Sequence, residues 1–118
     1  GDFNEPSHRD WSAATVAAGL QPLPVAWPGT RKLEAAGFID TFRAAYPDAV
    51  TKPGITWTPT TAADDPEDHH DRIDFVFARG DALQVLASGV VGEKAPEADV
   101  VVTPWPSDHR AVVSTILF

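Results

Sequence analysis

Cysteine is absent from the 118 residues. That excludes disulfides and thiolate-held metals, and it leaves the compartment open. Long apolar runs are missing too: none approaches the ~18–20 residues that cross a bilayer, and no signal-peptide pattern occurs. Basic charge is scarce. Nine Lys and Arg stand against 17 Asp and Glu, for a net charge of −8. The basic residues are scattered from Arg9 to Arg110. A non-specific grip on a nucleic-acid backbone needs a basic face, and none is visible. Phosphate chemistry stays open, provided a bound cation supplies positive charge locally.

What is present fits one globular domain. The chain is 43% hydrophobic and 22% charged, and its length is close to the commonest domain size of roughly 100–150 residues. No internal repeat or low-complexity tract interrupts it.

The first half reads as helices. Asp10 is placed to cap a helix over Trp11–Ala18 that stops at Gly19. The proline-rich "QPLPVAWPG" that follows is an irregular connection. Thr30 is placed to cap "RKLEAA", with Gly37 as its stop, and Asp40 to cap "TFRAAY", which ends before Pro47. The second half reads as strands: "GITWTP", then "RIDFVFAR" with Ile73, Phe75 and Phe77 on one side, then "ALQVLASGVVG" and "RAVVSTILF". Helices followed by strands predict an α/β (α+β) domain, a layer of helices on a sheet.

Three spots carry chemistry. The opening "GDFN" alternates, so in extended backbone Asp2 and Asn4 share one face and Phe3 takes the other. Asp74 interrupts an otherwise apolar strand. It either lies on a solvated face or needs a partner, because a buried carboxylate is costly alone. In "PSDHRAVV", Ser107, Asp108 and His109 suggest a hydrolase triad, but consecutive side chains diverge, whereas a triad needs three that converge. Asp108 and His109 suit two separate tasks: oxygen ligation of a hard cation, and proton or hydrogen-bond donation.

"GDFN", "RIDFV" and "SDHRAV", in that order, resemble the C-terminal half of the endonuclease/exonuclease/phosphatase superfamily, which includes deoxyribonuclease I. "GITWTP" is similar to the family's Gly-x-Thr-Trp stretch. The resemblance covers the whole chain and implies a role for each residue. Asp2 resembles the carboxylate that orients or deprotonates the attacking water beside the metal, and Asn4 the amide that donates to the scissile phosphate. Asp74 matches the acid that pairs with the catalytic histidine, with Asp71 as a rival. Asp108 resembles a metal-ligating carboxylate, and His109 the histidine that donates to the phosphate. The implied cofactor is Mg2+ or Mn2+.

The resemblance also implies an architecture. The family fold is a four-layer α/β/β/α sandwich with pseudo-symmetric halves, and GDFN lies near its middle. This chain is then expected to be the C-terminal half, 1–118, mainly antiparallel sheet with helices on one face, cut within or just after a core strand. The missing N-terminal half would carry the family's metal-binding glutamate. The expected parent is a metal-dependent phosphoester hydrolase, and the piece alone is expected to be inactive. The alternative is a non-catalytic half-domain or binding module that keeps the motifs. An open sheet face predicts a homodimer, and the acidic balance favours a small or lipid-linked phosphoester over duplex DNA.

Other features have two readings each. His8 and Arg9 are either within reach of a substrate phosphate or on a surface loop. The run "DDPEDHHD" at 64–71 is either a second metal site or a solvated loop. The four tryptophans fit core or rim packing better than a base-stacking platform.

Overall fold

Local side-chain caps decide where each helix begins. In the computed structural model, which describes residues 1–118, there are three helices and five strands. Helix α1 (Ala13–Ala17) is capped by Ser12, not Asp10: the Ser12 hydroxyl accepts from Thr15 N, and Thr15 Oγ1 accepts from Ser12 N. This is a reciprocal capping box. Helix α2 (Pro28–Ala35) starts at Pro28, two residues before the expected Thr30 cap. Proline suits a first helical position because its missing N–H would have had no partner there. Helix α3 (Thr41–Ala45) is capped as its sequence predicts, with Asp40 Oδ1 accepting from Phe42 N and Arg43 N.

Asp10 is drawn inward instead. Its Oδ1 accepts from Arg43 Nε at 2.6 Å and its Oδ2 from Arg72 Nε at 2.8 Å. Arg72 also forks onto Asp40, with Nη1 to Oδ1 at 3.0 Å and Nη2 to Oδ2 at 2.7 Å. All four side chains are buried. The Arg72 guanidinium lies over Phe75, 4.7 Å from the ring centre. Two arginines and two carboxylates balance in charge, which is what makes their burial tolerable. The network ties the loop before α1, the start of α3 and the segment leading to Asp74 into one unit.

Strand β1 (Ile39–Asp40) pairs antiparallel with β2 (Phe77–Ala78). Strand β3 (Gln84–Gly92) is central in a second sheet of order β4-β3-β5, between β4 (Val100–Val101), which is parallel to it, and β5 (Ala111–Leu117), which is antiparallel. Helix α3 packs on this sheet, and Phe42, Val90 and Ala98 form the core there, flanked by Tyr46 and Val112. Side chains alternate along β5, so Val112, Ser114 and Ile116 are half-buried while Ala111, Val113, Thr115 and Leu117 are exposed. Ser114 Oγ meets Thr41 Oγ1 at 2.7 Å and Ser88 Oγ at 2.9 Å on the helix side. The opposite face has no layer over it. The domain is therefore α+β, with helices and mixed, largely antiparallel sheets.

The stretch "GITWTP" is extended but forms only isolated bridges, as Trp57 pairs with both Asp71 and His109. Each neighbour takes one residue, so no ladder propagates. Gly54 has φ +70°, and a Cβ there would lie 2.3 Å from Phe42 Cε1. Glycine is required because the backbone passes so close to the core ring. "RIDFVFAR" is strand only at Phe77–Ala78; upstream, Asp74 pairs with Asp2.

Candidate active site

The N-terminal segment runs antiparallel to the chain around Asp74. Phe3 N donates to Ile73 O at 2.9 Å and Phe75 N to Gly1 O at 3.0 Å. That register sets Asp2 directly opposite Asp74, and Phe3 packs edge-on against Phe75 at 5.2 Å. Two like charges facing across strands repel, so a cation between them is favoured.

His109 supplies it. Its Nδ1 lies 2.9 Å from Asp74 Oδ2, and its Nε2 lies 3.9 Å from Asp2 Oδ2. Nδ1–H donates to the Asp74 carboxylate, which leaves Nε2 on the Asp2 side. The hydrogen bond to Asp74 raises the His109 pKa above its ordinary 6.5; burial opposes this, and the charges of Asp74, Asp2 and Asp108 add to it. Of the two acids weighed as its partner, the one in contact is Asp74. The carboxylate of Asp71 instead accepts from Trp11 Nε1 and Gln21 Nε2, and its burial pushes its pKa up.

Several groups hold His109 in place. Trp57 packs against the imidazole with ring centres 4.8 Å apart. Trp105 Nε1 donates to the His109 carbonyl at 2.8 Å, and His109 N donates to Ser107 Oγ. Thr58 Oγ1 donates to the Asp108 carbonyl at 2.6 Å. All four tryptophans are half-buried, and two of them support this histidine. The one sign of that role in the sequence is Trp57 inside the Gly-x-Thr-Trp stretch.

The remaining expected site residues are more dispersed. Asn4 is exposed, with φ 49°, a left-handed conformation that asparagine tolerates. Its N–H donates to Asp2 Oδ1 at 2.8 Å, and its side-chain amide makes no hydrogen bond within the chain. Asp108 is exposed, and its carboxylate stands outside the group formed by Asp2, Asp74 and His109. The ring of His8 is held by Thr30 Oγ1 at 2.8 Å and Glu34 Oε2 at 3.3 Å. Arg9 also pairs with Glu34. In the 64–71 run, His70 and Asp68 meet Thr61, while His69 meets Gln21. Gln21 also meets Asp71, and Asp68, His69, His70 and Asp71 line one cavity without bringing three ligand atoms together.

Asp2, Asp74 and His109 each offer one ligand atom, all within 4.8 Å of one another. Asp74 Oδ2 is engaged with His109 Nδ1, and Asp2 Oδ1 with Asn4 N, so each carboxylate keeps one oxygen for a ligand. Carboxylate oxygens, which Asp2 and Asp74 offer here, suit a hard divalent cation; the Asp108 carboxylate is not among the converging groups. Such ions take about six oxygen ligands, so these residues fit part of a coordination shell. Asp2 is exposed and Asp74 and His109 are half-buried, so the group reaches the surface, apart from the cavity of about 440 Å³ elsewhere in the fold.

Residues 1–109 match the Endonuclease/Exonuclease/phosphatase family, through to His109. An uncharacterized protein of Caenorhabditis elegans is 37% identical over 126 aligned positions, covering all of this chain and 40% of that protein. The chain thus spans less than half the length of the curated relative it matches. No solved structure matches it. The chain belongs to the endonuclease/exonuclease/phosphatase family, a group of phosphoesterase- and nuclease-type hydrolases.

Proposed function

We propose that this chain carries the C-terminal part of the active site of a divalent-metal-dependent phosphoester hydrolase. The observation that carries the reading is the convergence of Asp2, Asp74 and His109 on one open patch. Hydrolysis places negative charge on the phosphoryl oxygens and the leaving group, and fixed donors aimed at that charge lower the barrier. His109, kept charged by Asp74, donates from Nε2. Asp74 sets the orientation of the ring. Asp2 accepts the proton of the attacking water. The free amide of Asn4 donates to a phosphoryl oxygen. His8, with its ring nitrogens engaged, takes part only if a substrate displaces Glu34. Magnesium or manganese on Asp2 and Asp108 would supply Lewis-acid charge at the same oxygens.

Two observations support a larger parent in which these residues are completed. The carboxylates make only part of a metal shell, and the relative extends well beyond the aligned region. The bare face of the β3–β5 sheet fits the same reading: there the rest of a four-layer fold would pack, or a second copy of this chain in its absence.

Titration calorimetry on the chain tests the metal assignment. Magnesium should bind on the order of millimolar or weaker, as expected for a partial shell, with little or no hydrolysis. In the longer protein, hydrolysis of bis-p-nitrophenyl phosphate should require magnesium or manganese and vanish with chelator. Micromolar affinity in the 118-residue chain would mean that the ligands lie elsewhere.

A further inference from the structure

Thr56 is completely buried, and it touches the segments that carry both members of the Asp74–His109 pair. Its Oγ1 accepts from Ile73 N and from Asp74 N, each at 3.1 Å. Its backbone carbonyl accepts from Arg110 N, the residue after His109, at 2.8 Å. Its own N–H donates to Asp71 O at 3.1 Å. One residue therefore grips the Asp74 segment through its side chain and the His109 segment through its backbone.

The hydroxyl does what a neighbouring strand would otherwise do. A regular ladder would offer a carbonyl to one of these two N–H groups and leave its alternate to another partner. Here both lone pairs of a single oxygen are used, and the two donors are adjacent in sequence. The Asp74 backbone is thus fixed at the residue whose side chain meets His109. The next two residues continue the pattern, with Trp57 against the His109 ring and Thr58 on the Asp108 carbonyl.

We propose that Thr56 is a positioning residue that sets the Asp74–His109 spacing through its hydroxyl. Its effect on catalysis rests on the function proposed above. Thr56→Val keeps the shape but removes the acceptor, leaving two buried N–H groups to find partners by moving the Asp74 segment. Thr56→Ser keeps the acceptor.

Proton NMR of the 118-residue chain reads the pair directly, through the low-field resonance of the His109 Nδ1–H held by a carboxylate. The resonance should be present in wild type and T56S. In T56V it should be lost or shifted upfield, while signals from the Phe42–Val90 core are unchanged. If T56V does not fold, T56A replaces it, with the same expected direction. In the longer enzyme, T56V should lower kcat on the order of 10- to 10²-fold, as small misplacements of catalytic groups do. KM should be unchanged, and T56S should restore the rate. In an H109A background T56V should cost nothing further. An unaltered resonance in a folded T56V or T56A variant would overturn the proposal, as would an equal rate loss with and without His109. A wild-type rate in H109A would instead overturn the proposed function, and the resonance would still decide the role of Thr56.

Discussion

Asp2 and Asp74 face each other across neighbouring extended segments, and the imidazole of His109 lies between their carboxylates. The arrangement sets three titratable groups against one another, and its consequences can be measured without a substrate.

The first is pH dependence. The His109 pKa is raised by its hydrogen bond to Asp74, so the folded state holds the proton to higher pH than the unfolded chain does. The pair's contribution to stability is then fully present below the unfolded value of about 6.5. It is lost as pH rises through the folded value. Unfolding free energy of the metal-free chain should fall over that window, and Asp74→Asn should flatten the slope. An imidazole titrating at or below its ordinary value by NMR would contradict the arrangement.

The buried ion network makes a second prediction. Asp10 is the shared acceptor for Arg43 and Arg72, and its removal leaves two buried guanidiniums short of charge. Breaking a buried pair from one side costs roughly 3–5 kcal/mol. Asp10→Ala should therefore destabilise the fold on that scale in urea titration, whereas alanine at the exposed Asp64 should change little. A cost for Asp10→Ala below about 1 kcal/mol, the range of exposed pairs, would mean that the network is unimportant to stability.

The legibility of these features in the sequence follows from their range. Asp40 caps α3 through atoms two and three residues away, so the cap is readable from neighbours alone. Asp10 sits at an equally good capping position, yet its partners lie 33 and 62 residues further on. Two buried arginines outbid two local N–H groups for that carboxylate. The α+β class follows from a change of hydrophobic period, and apolar period survives without tertiary knowledge. "GITWTP" has strand composition, but Trp57 divides its pairing between two neighbours and no ladder forms. Asp2, Asp74 and His109 stand out as polar residues in or beside apolar strands, and the fold brings them together. Thr56 does not stand out. A threonine in a strand-like stretch is ordinary, and its partners are backbone N–H groups, which every residue has.

The uncovered sheet face gives a third prediction. Val113 and Leu117 of β5, with Leu86 and Phe118 nearby, are 51%, 52%, 60% and 79% exposed. Apolar patches beyond a few hundred Å² mark interfaces, and two such faces can stack ~10 Å apart. Proposed as a homodimer about a two-fold axis, the 118-residue chain should sediment above its monomer mass of 12.6 kDa at micromolar concentration. Val113→Lys with Leu117→Lys should return it to monomer. A wild-type chain that sediments at 12.6 kDa would refute the dimer.

The most direct test of the central claim is the rate of phosphodiester hydrolysis in the longer parent protein proposed above, measured with saturating magnesium. With His109 as donor and Asp2 as proton acceptor, His109→Ala and Asp2→Ala should each lower kcat by about 10²-fold or more, the usual scale for one acid-base or electrostatic group. Wild-type rates in either variant, with the fold intact, would contradict the assignment of this patch as the active site.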